Sequence, residues 1–325
     1  MTLLMALILV LAEILPGAAA ERKVYQVVGK ILQSDGTAFR GAAPVVFLHG
    51  AITPFSAQAL VGTDGQFKLK SIPPGTYTLV ADAPRLGEMR KTVEVGPSFA
   101  DPQGRVVVNL TFDRSLSSLK TDTVSAAALS VPESAMQEYR RAQDCVGRQD
   151  IKGATARLRK AVEIAPQFAI AWNQLGTIAY QTKQYLQAEE CFREALKQDP
   201  DLYAPLVNLG GTLLSQNRIQ DALPINQEAV KDMPGDALAH SQLGKNYYYL
   251  GQLDDAETHL RRAKALDPSH FSYPQIILIE IYLKKNQLPA AMVEMEEFLK
   301  LHPDSDLAPQ IRKLREAARE YLPPR

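Results

Sequence analysis

Cysteine, tryptophan and histidine are scarce in this chain, and neither sign of charge is in surplus. Two cysteines in 325 residues, Cys145 and Cys191, with no CxxC spacing, are too few for a disulfide framework. Thirty-six Lys and Arg balance thirty-six Asp and Glu. No basic excess is left to neutralise a phosphate backbone, so nucleic acid is not expected as a partner. The five histidines, His49, His240, His259, His270 and His302, fall in no HExxH or other close ligand spacing. There is no P-loop, GxSxG or GxGxxG context. Catalytic, cofactor-binding and metal-binding residues are therefore all expected to be none, and the chain reads as a non-enzyme.

Long apolar runs are also lacking, with one exception at the start. Thr2 to Ala12 is uncharged and strongly apolar, and Ala18-Ala19-Ala20 places small residues before Glu21. The run is short for a bilayer span, and the pattern reads as a signal peptide over residues 1–20. No Lys or Arg precedes the run, and an uncleaved membrane anchor is the alternative. The expected location is periplasmic or extracellular, with no transmembrane span in the mature chain.

What is present falls into two regions of different period. Residues 21–113 show short β-branched runs, such as Val45-Val46-Phe47-Leu48, and period-two alternation at Phe67 and Leu69, then Tyr77 and Leu79. Turn signals at Asp35-Gly36, Asp64-Gly65 and Pro73-Pro74-Gly75 separate them. This predicts an all-β antiparallel sandwich with Phe67, Tyr77 and Leu79 pointing inward. The stretch from Thr63 to Phe67, followed by Ile72-Pro73-Pro74-Gly75-Thr76-Tyr77-Thr78-Leu79, resembles the carboxypeptidase regulatory-like (transthyretin-like) sandwich family. That resemblance implies a fold and an accessory module rather than catalysis. Residues 114–132, rich in Ser, Thr and Ala and free of aromatics, have the composition of a linker.

From residue 133 the period is helical, and a longer one overlies it. Pro166, Pro200, Pro234 and Pro268 stand 34 residues apart, as do Ala154, Ala188, Ala222, Ala256 and Ala290. Leu175-Gly176, Leu209-Gly210 and Leu243-Gly244 keep the same interval. Small residues let paired helices approach, and each proline stops a second helix. Several columns in phase at this period resemble the tetratricopeptide repeat. The resemblance implies an α-helical superhelix, an α-solenoid, of five units over residues 133–305. Its unit boundaries are 135–168, 169–202, 203–236, 237–270 and 271–305, with a capping helix in 306–325. End units depart from the pattern, as Arg141-Ala142 and Leu278 do here. Pro224 falls early in a second helix, where a kink or a late start is expected.

In that family the first helix of each unit lines a concave groove. Carried onto this sequence, the groove candidates are Asn173, Thr177, Tyr180, Asn208, Leu214, Lys245, Tyr248, Tyr249, Ile279 and Tyr282. They describe an aromatic, weakly charged surface suited to an extended or helical peptide segment. The family's carboxylate-clamp set is not reproduced: its register falls on Asn173, Thr177, Asn208, Leu238 and Gln242, of which only Asn208 matches. His240 and the two cysteines read as packed residues. The expected function is an exported protein–protein interaction scaffold. The alternative is carbohydrate or cell-wall binding through the sandwich, which would need exposed aromatic platforms; the sandwich offers mainly Tyr25 and Tyr77, the latter expected to point inward.

Overall fold

A computed structural model describes residues 24–33, 35–38, 44–83, 87–112, 130–319 and 321. The expected signal peptide and all but the end of the expected linker lie outside them. The described residues form two sheets followed by a run of helices.

Sheet one joins β1 (Tyr25–Gln33) to β4 (Gln66–Ile72), β7 (Arg105–Val107) and β8 (Leu110–Phe112); sheet two has the order β3-β2-β5-β6, from Ser56–Leu60, Val45–Gly50, Gly75–Ala83 and Gly87–Val95. Pairing is antiparallel except where β7 and β8 run parallel to β1. Those two short strands follow the crossover from β6 in the other sheet. Alternation puts Val27, Ile31, Val46, Leu48, Phe67, Leu69, Leu79 and Ala81 into one buried core between the sheets. Tyr77 is 3% exposed, and its hydroxyl donates to the Pro73 carbonyl at 2.7 Å, so the Pro-Pro-Gly turn supplies the partner a buried phenol requires. Gly65 takes a φ of 79° in the β3–β4 turn, a region open to glycine.

The helices follow in antiparallel pairs: α1 (Glu133–Gly147) and α2 (Ile151–Ile164), α3 (Ala169–Gln181) and α4 (Tyr185–Gln198), α5 (Tyr203–Ser215) and α6 (Ile219–Asp232), α7 (Ala237–Tyr249) and α8 (Leu253–Leu266), α9 (Pro274–Lys284) and α10 (Leu288–Leu301). A last helix, α11 (Ala308–Arg319), covers the end of the stack, burying Ile311 against α9 and α10. The small-residue column acts as its position implies. A Cβ on Gly176 would stand 2.6 Å from the Phe192 ring, and one on Gly244 would stand 2.7 Å from Leu260. The two helices of a pair therefore touch where glycine allows it. Pro224 lies inside α6, which begins before it at Ile219, so a late start is not needed.

One column escapes a reading by residue type. Gln149, Lys183, Asn217, Gly251 and Asn286 all take φ between 56° and 77°, each at the turn between the two helices of its pair. The requirement is a left-handed backbone, not a side chain, and Gln and Lys satisfy it without announcing it. The fifth pair also differs. Pro274 opens α9, and Tyr273 before it adopts φ 50°. The chain from 267 to 273 is thereby held out as a loop, because a residue before proline disfavours the helical region.

Candidate functional site

The first helices of successive pairs bring several groove candidates into contact across units. Asn208 Nδ2 donates to Asn173 Oδ1 at 3.2 Å, and Tyr180 Oη lies 3.2 Å from Ser215 Oγ. Tyr248 donates to Glu280, and Lys284 lies 4.2 Å from the Tyr248 ring centroid, with its Nζ 2.7 Å from the hydroxyl. These pairs join α3 to α5 and α7 to α9, so the positions share one continuous face. Thr177 lies on it too and bonds back to the Asn173 carbonyl at 2.9 Å. Tyr249 is 54% exposed beside Tyr248, ring centroids 5.7 Å apart. Lys245 is half-buried on the same face; burial lowers its pKa, and the Glu280 carboxylate opposes that shift.

Three candidates are not groove residues. Leu214, Ile279 and Tyr282 are 9%, 2% and 6% exposed and belong to the packed cores of the stack. The Tyr282 hydroxyl turns to Glu257 on α8 at 2.9 Å. The cause is composition: α5 and α9 are apolar nearly all round, and such helices bury more than one face. The candidate carbohydrate platform fails similarly, since Tyr25 and Tyr77 are 4% and 3% exposed.

The sandwich lies on this same helical face, which its alternation pattern did not announce. At units one and two, Gln181 Nε2 donates to the Gly50 carbonyl at 2.6 Å, and Ser56 Oγ donates to Gln143 Oε1 at 3.4 Å. Both contacts sit toward the C-terminal ends of the first helices. At units three to five the contacts move to the opposite ends. Arg90 lies 3.5 Å from Asp236 and 5.5 Å from the Tyr203 ring centroid, while the Tyr203 hydroxyl donates to Asp236 at 2.8 Å. The Thr92 amide donates to Asp267 Oδ2 at 2.9 Å, and the Phe271 amide donates to Thr92 Oγ1 at 3.3 Å. Glu94 pairs with His302, and Ser98 Oγ donates to Asp304 at 2.7 Å. Sheet two thus runs diagonally over the first helices, and among the described residues none of these contacts involves the C-terminal ends of α7 and α9.

This docking is polar, and several of its anchors are buried. Asp236, Asp267, His270 and His302 are each under a tenth exposed. Burial opposes the charge of Arg90, but Glu88 and Asp236 outweigh it and raise its pKa. His49, on the outer face of β2, is pushed down to about 4 by burial and then by Arg90. The partners were hard to foresee because Asp236 and Asp267 sit in loops where acidic residues are ordinary; only their pairing with β6 makes them distinctive.

The remaining histidines and cysteines behave as packed residues. His240 Nδ1 lies 3.0 Å from His259 Nδ1, its Nε2 lies 3.1 Å from the Pro234 carbonyl, and burial lowers both pKa values. Burial pushes the Cys191 thiol up to about 11, away from nucleophilic character. Among the described residues no group of three or more His, Cys, Asp and Glu is placed to hold a metal ion. Among them, too, no helix is long and apolar enough to cross a membrane.

Residues 169–202 and 213–275 match family models described as tetratricopeptide repeat. Among curated proteins, the chain is 28% identical over 114 residues to the BBSome complex member BBS4 of Xenopus tropicalis, covering 35% of this chain and 22% of that one. It is 32% identical over 103 residues to heat shock protein STI1 of Saccharomyces cerevisiae, covering 30% of this chain and 17% of that one. The match thus spans about a fifth of the length of these relatives. Among solved structures, PilW, a type IV pilus biogenesis factor, superposes with a TM-score of 0.50 at 23% identity, over 58% of this chain and 91% of that one. At that identity the likeness is one of fold. Column spacing, paired helices and family match agree: residues 169–202 and 213–275 are tetratricopeptide repeats, and the helical pairs on either side continue the same fold.

Proposed function

We propose that the protein is a non-catalytic interaction scaffold, exported to the periplasm or beyond, that captures a polypeptide segment on the part of its first-helix face the sandwich contacts leave free. The observation that carries this is the surface at the ends of α7 and α9. It holds Tyr249 exposed, Tyr248 stacked under Lys284, and the partly desolvated Lys245. Tyrosines give contact area at small rotamer cost, and a partly desolvated ammonium favours a partner that brings an acceptor. Export rests on the apolar run before Glu21. The sandwich, read as a carboxypeptidase regulatory-like module, serves as a docked spacer that shapes the groove.

The test is crosslinking mass spectrometry on the protein from its native compartment, for wild type and Tyr249→Ala. The wild type is expected from the exported fraction with its chain starting at Glu21, and the variant should lose most of its crosslinked partner. Tyr249 is exposed, so its stability should change by no more than about 0.5 kcal/mol. Equal capture by both proteins would reject the groove, and a chain starting at Met1 in the cytoplasm would reject export.

A further inference from the structure

On the opposite, second-helix side of the stack, α2, α3 and α4 line an open, shallow pocket of about 530 Å³. Its floor is Val162, Leu175, Cys191 and the indole of Trp172. The first three are buried. The indole is fixed, since Trp172 Nε1 donates to the Pro166 carbonyl at 2.8 Å. Exposed Glu163 and Glu190 and half-buried Glu194 line it as well, against a single cation, Arg159. Glu194 is engaged by Gln198 Nε2 at 2.6 Å and by Lys197 at 3.3 Å.

One other unit shows how the equivalent space is filled. Two units further on, the positions of Trp172 and Cys191 are held by His240 and His259. There the two rings stack with centroids 5.2 Å apart. In unit two a small thiol faces the indole instead, and the gap between the second helices is left. An apolar floor suits a side-chain stem, an aromatic face attracts a cation, and carboxylates at the mouth complete its pairing.

We infer that this pocket is a second recognition site, taking an arginine or lysine side chain from a partner polypeptide. It lies on a different face from the tyrosine groove and does not depend on it; Tyr249→Ala should leave it unchanged, so the two readings fail separately.

Trp172 is the only tryptophan of the chain, and the emission of the full-length protein therefore reports on this pocket. The probes are a capped tripeptide centred on arginine, the same peptide with citrulline, which keeps the shape without the charge, and one with glutamate. The arginine peptide should give a saturable emission change, the citrulline peptide should bind at least tenfold more weakly, and the glutamate peptide should give none. Cys191→His, which copies unit four and fills the gap, should abolish the response. Glu190→Gln, at an exposed position, should weaken the arginine peptide alone, and it decides the matter if Cys191→His does not fold. Equal binding of arginine and citrulline peptides, no saturable response, or responses unaltered in Glu190→Gln would overturn the assignment.

Discussion

The two sheets of the sandwich have the same alternation and opposite surroundings. On sheet one, the residues pointing away from the core include Lys30, Gln66, Lys68, Lys70, Val107 and Thr111, all exposed. On sheet two, the corresponding outward residues Val45, Phe47, His49, Thr78, Val80 and Arg90 are half-buried, and Thr92 is buried. One outer face meets solvent, and the other meets the helical stack. Alternation separates inward from outward, and it carries no information about what lies outward. A charged outward residue on an edge strand of each sheet shows the difference. Lys68 needs no partner, whereas Arg90 has Glu88, Asp236 and the Tyr203 ring around it.

The largest expected break in this comparison is therefore at Arg90. Its side chain is 27% exposed and that of Asp236 is 3% exposed. Removing one member of such a pair leaves the other charge poorly compensated, at a typical cost of 3–5 kcal/mol. Asp236 keeps the Tyr203 hydroxyl and the Leu238 amide, which favours the low end. Arg90→Ala is expected to lose about 3 kcal/mol in chemical denaturation, with faster amide exchange in the loop from Met233 to Asp236. Lys68→Ala should stay within about 0.5 kcal/mol. Similar losses for both would show that sheet two is not docked.

What could be read from the sequence follows the same division. The repeat was legible because one constraint recurs: the glycine at Gly176 meets the same need as those at Gly210 and Gly244, so chance agreement is excluded. The sandwich core was legible through Phe67, Leu69, Tyr77 and Leu79, which alternate between turns. Which residues face outward on the first helices was legible in part. Tyr248 and Tyr249 lie on the expected face, but Ile279 and Tyr282 sit on a helix apolar all round, where position within the unit no longer fixes exposure. The docking contacts were not legible, because Arg90 and Asp236 are far apart in the chain and neither belongs to a repeated column. The pocket beside Trp172 was likewise hidden, since the column of Cys191 reads Arg157, Cys191, Ile225, His259 and Val293 and repeats no residue type.

Acidification tests the covered face through His49. Its pKa of about 4, against an ordinary 6.5, reflects burial first and the nearby Arg90 second, with Glu88 acting in the opposite direction. The unfolded chain takes up this proton below about pH 6.5, and the folded chain does so only near pH 4. The stability tied to a neutral His49 is thus fully present above pH 6.5 and lost as the pH falls toward 4. The loss should approach about 2–3 kcal/mol by pH 4. His240, His259 and His270 are shifted in the same direction by burial, so the measurement is a difference. His49→Gln should show a shallower fall in melting temperature from pH 6.5 to pH 4 than the wild type. Parallel curves would mean that His49 is solvated, as an outward residue of sheet one would be.

The finest comparison uses one residue type on both sheets. Thr92 is 4% exposed and accepts from the Phe271 amide at 3.3 Å. Thr111, on β8 of sheet one, is exposed. Valine keeps the shape and the strand propensity of threonine and removes only the hydroxyl. Thr92→Val leaves a loop amide without its acceptor in a poorly hydrated contact, an expected loss of about 1 kcal/mol. The bond is long, which argues against more. The Asp267 contact survives because it uses the Thr92 backbone amide. At Thr111 water replaces whatever the hydroxyl contributed, and Thr111→Val should lie within about 0.5 kcal/mol of the wild type. Paired denaturation curves check the difference; a Thr92→Val protein as stable as Thr111→Val would mean that the loop before α9 rests against β6 without depending on it.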